Sequence, residues 1–192
     1  MSSLPAVSCV LVICGVPASG KSTLAAAAAS WLGWPALSSD LVRKELAGVA
    51  ASERAGPARY TAEFSLAVYA ELGARAAACA RACGAVIVDG TFRRRGDRAA
   101  FTAALDDAAP ALYAECCAPL PVLLARAAAR DREPGQASDA TAVVVAAEHG
   151  RWQPLDEVPG GRRIALSTDR PLAMSLAELT TLVTSAARRG SL

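Results

Sequence analysis

One eight-residue segment limits the possible folds of this chain more than any other feature. Residues 15–22 read GVPASGKS and match the spacing G-x-x-x-x-G-K-[ST]; they lie between the apolar run Val10–Ile13 and an alanine-rich stretch that begins at Thr23. A buried strand, a glycine-rich turn and a helix therefore follow one another. The backbone N–H groups of such a turn point toward an anion, and the helix dipole adds about half a positive charge there. The segment predicts a binding site for the phosphates of a nucleoside triphosphate.

The same spacing assigns roles to single residues. Lys21 is expected to reach the β- and γ-phosphates, and the Ser22 hydroxyl is expected to ligate Mg²⁺. Lys21 and Lys44 are the only lysines against 18 arginines, so a lysine stands where a compact point charge is required. We expect the nucleotide to contact the whole loop, namely Gly15, Val16, Pro17, Ala18, Ser19, Gly20, Lys21, Ser22 and Thr23.

Composition bounds the size and class of the protein. A chain of 192 residues is long enough for one well-buried domain and short for two. Hydrophobic residues make up 53% and charged residues 20%, which excludes disorder. The net charge of +2 argues against a broad nucleic-acid surface but allows a local basic patch. We predict one domain over residues 1–192, with a core at about 7–120 and 160–190 and a lid at about 126–150.

Cysteine usage and hydropathy indicate a cytoplasmic protein. Four of the six cysteines fall in apolar runs, where cysteine behaves as a small hydrophobe. Cys79 and Cys83 are one helical turn apart, but two cysteines alone lack the partners that zinc needs. The apolar stretch 7–13 has no basic region before it and is interpreted as a core strand rather than a signal peptide. No apolar run is long enough to span a bilayer, so no membrane association is expected.

Strand-like and helical patterns alternate along the chain, which predicts a parallel sheet covered on both faces. Strands are predicted at Cys9–Cys14, Ala36–Ser38, Ala85–Asp89, Leu112–Cys117 and Arg163–Ser167. Helices are predicted at Lys21–Leu32, Leu41–Gly48, Thr61–Cys83, Asp97–Ala108, Pro121–Arg132, Asp139–Glu148 and Leu172–Arg188. Ligands bind at the carboxyl ends of such strands, which groups Gly15, Asp40, Asp89, Cys117 and Thr168 near one rim. The segments 48–57 and 133–138 are predicted to be mobile connections.

An acidic and a basic residue follow the second predicted strand. If Asp40 opens a helix, Arg43 lies three residues later on the same face. A carboxylate at this rim could accept the proton of an attacking hydroxyl, and the arginine could hold a phosphate or steady the carboxylate. The alternative is that Asp40 is only the N-cap of its helix. We favour Asp40 as a catalytic base and place both residues in the substrate site.

The third strand ends in an aspartate and is followed by a basic run. Asp89 is expected to orient Mg²⁺ or its water, although the segment Asp89-Gly90 would also suit an ordinary turn. A charge run is usually a solvated face. Because this run leaves the same strand end, one or two of its arginines could instead bind an anionic acceptor. The expected substrate contacts here are Asp89, Thr91, Arg93 and Arg95, while Arg94 and Arg98 complete the run.

A further set of arginines lies on the helix that precedes Pro134. Arg126 and Arg130 are four residues apart and share a helix face. They could simply interact with the helix C-terminus, or they could fold over the triphosphate as part of a lid and neutralise charge in the transition state. We predict nucleotide contacts for both and a catalytic role for Arg130. Thr168, after the last strand, is a predicted adenine contact, whereas His149 is expected to be a solvated helix-end residue.

These motifs together resemble those of the small P-loop kinases. The resemblance is carried by GVPASGKST at 15–23, Asp40-x-x-Arg43, VIVDGT at 86–91 with the basic run, and the Arg126/Arg130 pair. The chain is most similar to the polynucleotide-kinase and zeta-toxin type, and especially to the ATP-binding kinase domain often fused behind an aminoglycoside-phosphotransferase-like domain. The resemblance covers about residues 9–170, most of the chain.

The resemblance implies a three-layer α/β P-loop NTPase fold. It implies a five-stranded parallel sheet with strand order 2-3-1-4-5, a helical lid, Mg-ATP as phosphoryl donor and Asp40 as the base. Ala18 stands where many relatives have glycine, a change that the loop accepts if the local φ is negative.

The sequence therefore predicts an ATP-dependent kinase that phosphorylates a hydroxyl of a small molecule. Its catalytic residues would be Lys21, Asp40 and Arg130. An aromatic content of 5% offers few platforms for stacking bases, which favours a small molecule over the 5′-hydroxyl of a nucleic acid, although the latter stays open. A nucleotide-dependent switch without a phosphoryl acceptor is the alternative from another class.

Overall fold

A five-stranded parallel sheet forms the centre of the computed structural model, which describes residues 8–51, 53, 60–130, 132 and 141–188. The strands are β1 (Cys9–Cys14), β2 (Ala36–Ser38), β3 (Ala85–Asp89), β4 (Ala111–Cys117) and β5 (Arg163–Ser167). They are ordered β2-β3-β1-β4-β5, which confirms the order implied by the resemblance. Every neighbouring pair is parallel, so all five carboxyl ends lie at one edge.

Seven helices of the described residues surround this sheet. They are α1 (Lys21–Leu32), α2 (Ser39–Ala47), α3 (Ala62–Cys83), α4 (Arg95–Leu105), α5 (Leu120–Arg130), α6 (Ala142–Gly150) and α7 (Leu172–Arg188), and a short 3₁₀ turn (Gly160–Arg162) precedes β5.

Local capping explains where the helices depart from the predicted bounds. α2 begins two residues early because the Ser38 side chain accepts a hydrogen bond from the Asp40 N–H at 3.3 Å. α4 begins at Arg95 because the Asp97 carboxylate accepts from the Arg94 N–H. It ends at Leu105 because the two aspartates that follow have φ values of +47°. Thr141 caps α6; the predicted helix start at 138–139 and the predicted connection 133–138 lie outside the described residues, as does most of 52–57.

The two faces of β1 fill two separate cores, since all six of its residues are buried. Val10, Val12 and Cys14 pack with α3 and α4, whereas Leu11 and Ile13 pack with α1 and α7. Helix α3 approaches α4 closely at Gly73, where a Cβ atom would lie 2.4 Å from the backbone oxygen of Phe101. The cysteines fit this pattern, because Cys9, Cys14 and Cys116 are buried strand residues.

A third and smaller core connects the glycine-rich loop to α5 and α6. It consists of Val16, Ala18, Leu123, Ala127 and Val145, and we call it the loop cluster. Because Val145 belongs to α6, this helix shares one core with the loop that follows β1. Within the described ranges, no helix is both long and apolar enough to cross a membrane.

Candidate active site

The glycine-rich loop takes backbone conformations that side chains resist at two positions. Gly15 has a φ of +144°, and a Cβ atom there would lie 2.6 Å from the Cys116 backbone oxygen. Gly20 has a φ of +85° and is the N-cap of α1, which starts at Lys21. The first backbone N–H groups of a helix have no intrahelical acceptor, so this loop ends where donors and the positive end of the helix dipole coincide.

Ala18 departs from the sequence expectation. A negative φ was the condition under which the loop could accept alanine, and this condition is not met, since the φ of Ala18 is +67°. A left-handed alanine costs roughly 1–2 kcal/mol. Ala18 is buried and belongs to the loop cluster, which also contains residues of α5 and α6. Burial of its methyl group opposes this cost, and a glycine would bury no side chain there.

Two side chains hold the outer carbonyl groups of the loop. The Thr168 hydroxyl donates to the Ser19 backbone oxygen at 2.6 Å. Arg126 donates through Nη2 to the Thr168 backbone oxygen at 2.6 Å and through Nη1 to the Ala18 backbone oxygen at 3.5 Å. We call Arg126 and Thr168 the clasp. Because the clasp binds the carbonyl side of these peptides, it fixes the direction in which their N–H groups point.

We expect Thr168→Val to weaken nucleotide binding about fivefold and to lower the melting temperature by a few degrees. Valine keeps the side-chain shape but loses a hydrogen bond worth about 1 kcal/mol. Thr168→Ser keeps the hydroxyl and serves as the control. Calorimetric titration with ATP and thermal unfolding measure the two effects. Equal affinities for the valine and serine variants would show that the clasp does not position the loop.

Arg130 lies one turn beyond Arg126 on α5 and differs from it in its contacts. Its Nε and Nη2 are buried and have no hydrogen-bond partner among the described residues. It lines a cavity of about 380 Å³ together with Lys21 and Ser22. The cavity continues along the β5–α7 connection, where its lining includes Thr168, Arg170, Leu172 and Ser175. Buried guanidinium nitrogens without an acceptor are unfavourable, so this position is suited to an anion.

Asp89 supplies a second unpartnered group at the sheet edge. Its Oδ1 is buried and accepts no hydrogen bond from the part of the chain that the structure describes. Burial raises the pKa of the neighbouring Cys116 thiol to about 12, and the charges that act on this thiol include Lys21 and Asp89. Asp89 is aligned with Ile13 of β1, and the Gly90 N–H donates to the Ile13 backbone oxygen at 3.2 Å, so this carboxylate lies at the sheet edge where the loop begins. A carboxylate and the Ser22 hydroxyl are the hard oxygen donors that Mg²⁺ prefers, so the residues present fit this ion.

Asp40 is accessible after the carboxyl end of β2. Its side chain is 54% exposed in the first turn of α2, 3.0 Å from Lys44 Nζ. The alternative that Asp40 is the N-cap is wrong, because Ser38 caps α2. Arg43, in contrast, is 7% exposed. It stacks over the ring of Tyr60 and donates to Ser65 at 3.4 Å, so it binds α2 to the start of α3.

The basic run is engaged within the protein. Arg93 Nε lies 2.7 Å from Glu148 of α6, and Arg95 Nε lies 3.3 Å from Glu157. Arg98, which is 2% exposed, also binds Glu157 and donates to the backbone oxygens of Phe92, Arg93, Gln153 and Pro154. Thr91 lies beside the loop, since its backbone oxygen accepts from the Gly15 N–H at 3.3 Å. The sequence did not identify Glu148 and Glu157 as partners of these arginines. Nothing in the chain near the arginines indicates such a pairing.

The parallel sheet, the loop at the end of β1 and the cavity beside it define a P-loop nucleotide-binding protein. Residues 10–155 match the family described as AAA domain. The match covers most of the chain, and the protein therefore belongs to the AAA domain family. A search of curated protein sequences found no match.

Solved structures of kinases share the fold. A gluconokinase from Sinorhizobium meliloti 1021 is 20% identical with a TM-score of 0.66, and the match covers 98% of this chain and 99% of that one. A sugar kinase from Janibacter sp. HTCC2649 is 20% identical with a TM-score of 0.71 over 94% and 96% of the two chains. An APS kinase from Mycobacterium tuberculosis, solved with AMPPNP and APS, is 20% identical with a TM-score of 0.65 over 93% and 98%. The fold is that of the P-loop kinases.

Proposed function

We propose that this protein is an ATP-dependent kinase that transfers the γ-phosphoryl group to a hydroxyl of a small molecule. The observation that carries the proposal is the guanidinium of Arg130. Two of its buried nitrogens have no partner among the described residues, and it lines the same cavity as Lys21 and Ser22. A phosphoryl group passing over the loop would place negative charge there, and phosphoryl transfer depends mainly on positioning and on neutralising that charge.

The reaction would use three side chains in distinct roles. The acceptor oxygen forms a bond to the γ-phosphorus while the bond from that phosphorus to the β–γ bridging oxygen breaks, and ADP leaves with that oxygen. Asp40 takes the proton of the acceptor hydroxyl, since its carboxylate is accessible beside the sheet edge. Lys21 and Arg130 stabilise the charge on the transferred group.

ATP and Mg²⁺ are the cofactors that these residues suit. The loop would hold the phosphates, and the lining residues of the β5–α7 connection would contact the adenosine, as was predicted for Thr168. Ser22 and Asp89 would hold Mg²⁺, directly or through water. When bound, the ion would neutralise charge on the β- and γ-phosphates.

The kinases that share the fold support a small-molecule acceptor, because two of them are described as acting on gluconate or sugars. We infer that one domain holds the whole site and that its lid extends over about residues 126–150. The described parts of this lid are the end of α5 and all of α6. The closer similarity to the polynucleotide-kinase and zeta-toxin type, and to the fused kinase domain, stays a prediction.

A transfer screen with γ-labelled ATP tests the proposal. The acceptors should include sugars, amino sugars, nucleosides, aminoglycosides, and DNA and RNA oligomers with a 5′-hydroxyl, each with ATP and with GTP as donor. We expect label on at least one small molecule, with ATP preferred. Label on oligomers alone would indicate the polynucleotide alternative. Release of inorganic phosphate at the same rate with every acceptor would contradict a kinase and favour the nucleotide-dependent switch.

A further inference from the structure

The basic run after β3 is the feature that would select an acceptor by charge. From the sequence alone, one or two of its arginines could bind an anionic acceptor. The described structure instead pairs three of its four arginines with glutamates. Arg93 faces Glu148, and Arg95 and Arg98 face Glu157, while Arg94 donates through its backbone N–H to the Asp97 carboxylate.

Arg93 is the arginine of the run nearest in sequence to Asp89, and its ion pair is protected. The Arg93 side chain is 13% exposed and that of Glu148 is 23% exposed, with 2.7 Å between Nε and Oε2. Partly buried pairs are screened much less than exposed ones. The backbone reinforces the contact, because the Gln153 N–H donates to the Arg93 oxygen at 3.1 Å. An anionic acceptor would have to displace Glu148 to use Arg93.

The other basic side chains of this region are also engaged. Lys44 Nζ lies 3.0 Å from Asp40 and donates to the Ala51 backbone oxygen at 2.9 Å. Arg43 is stacked on aromatic rings and bonded to Ser65. Arg95 is exposed, and any anion that approached it would also meet Glu157.

One carboxylate oxygen that is not assigned to Mg²⁺, in contrast, is left without a donor. Asp97 Oδ1 is buried and has no hydrogen-bond partner within the described ranges. Burial raises the pKa of Asp97, while the neighbouring Arg94 acts in the opposite direction. Hydroxyl and ammonium groups can donate to carboxylates, whereas another carboxylate or a sulfate cannot.

We propose that the acceptor of this site is a neutral or amine-bearing hydroxyl compound, and that Glu148 sets this preference by occupying Arg93. This inference rests on the proposed kinase function and adds the charge class of its substrate. Glu148 acts as a specificity-determining residue through Arg93. The reaction is the transfer of the γ-phosphoryl group from ATP with release of ADP. The acceptor hydroxyl is the nucleophile, and its proton passes to Asp40.

The first test compares acceptors that share one carbon skeleton. With glucose, glucosamine and gluconate as probes, we expect kcat/KM for the neutral or amino compound to exceed that for the acid by at least about tenfold. The same comparison is made for any other acceptor found, with its carboxylate-bearing analogue. A preference for the acid would overturn the inference and leave the kinase function in place. If no hydroxyl compound is phosphorylated, the kinase function fails and the inference about its acceptor fails with it, whereas the binding test below still shows whether Glu148 keeps anions from Arg93.

The second test measures binding and needs no turnover. The protein is loaded with Mg-AMPPNP to fill the loop, and gluconate is titrated against it by thermal shift. Wild type should show no shift, whereas Glu148→Gln should gain one, because the glutamine side chain keeps the shape of glutamate but frees the charge of Arg93. Glu71→Gln, which breaks the exposed ion pair with Arg75 on α3, is the matched control and should behave as wild type. The inference is overturned if the gluconate shift of Glu148→Gln is no larger than that of wild type, whether or not wild type shows a shift.

Discussion

Replacing Arg130 by alanine is expected to lower kcat about 10³-fold while leaving the fold and the affinity for ATP nearly unchanged. The Arg130 guanidinium lines the nucleotide cavity, and two of its nitrogens have no partner among the described residues. It therefore contributes little to the ground state and much to a transition state that carries more charge at the transferred group. Steady-state and single-turnover kinetics measure the loss, and thermal unfolding checks the fold.

Arg126→Ala is the comparison that makes this result specific. Arg126 shares the helix face of Arg130, but its guanidinium donates hydrogen bonds to Thr168 and to the Ala18 backbone oxygen. We expect Arg126→Ala to lower stability and ATP affinity and to affect kcat less than Arg130→Ala does. If the two variants lose kcat equally with no difference in ATP affinity, the assignment of separate roles on α5 is incorrect.

The second large effect is expected at Asp40. Asp40→Asn should lower kcat by about 10²–10⁴-fold, the usual contribution of a general base, with ATP affinity kept. Asparagine preserves the size of the side chain and leaves the Ser38 cap of α2 in place. Activity is measured on the best acceptor from the transfer screen, and ATP binding is measured by calorimetry.

The control for Asp40→Asn is a substitution of Lys44, which forms an ion pair with Asp40. Lys44→Met removes the ion pair at 3.0 Å but keeps the carboxylate, so it should reduce activity far less than Asp40→Asn. Transfer by the Asp40→Asn variant at close to the wild-type rate would show that the carboxylate only stabilises the first turn of α2.

The sheet was predictable from local patterns because its strands are short apolar runs with a recognisable motif between the first strand and the first helix. Four of the five strands have the predicted bounds, and β4 begins one residue earlier. The strand order followed from the resemblance, which rests on the loop at 15–23 and on VIVDGT at 86–91. Helix ends were less predictable, since the caps at Ser38 and Asp97 depend on which of several polar residues reaches the free N–H groups.

The hydrogen-bond partners of each arginine could not be derived from the sequence. Spacing placed Arg126 and Arg130 on one helix face, which the contacts of both with the loop and the cavity confirm. Spacing could not show that Arg126 would be held by Thr168, which lies 42 residues away. The partners of Arg98 were even less predictable, because Gln153, Pro154 and Glu157 lie 55 to 59 residues after it in the chain. Pairings at such distances depend on how the helices pack.

Ala18 shows a different limit to what the sequence can predict, namely the backbone conformation of a single residue. The loop was expected to tolerate alanine only with a negative φ, and the structure has a positive one. Tertiary packing accompanies it, because Ala18 is buried and belongs to a core that it shares with residues of α5 and α6. Backbone preference for this one residue therefore gave way to packing in the loop cluster, which also includes Val145 of the helix that carries Glu148.

The central claim is that γ-phosphate goes from ATP to a hydroxyl, and the stoichiometry of products tests it most directly. ADP and the phosphorylated acceptor should be quantified together by mass spectrometry, with the best acceptor and without any. We predict one phosphomonoester for each ADP and little ADP formation when no acceptor is present. ADP formed at the same rate in both reactions, with free phosphate and no phosphomonoester, would contradict the claim.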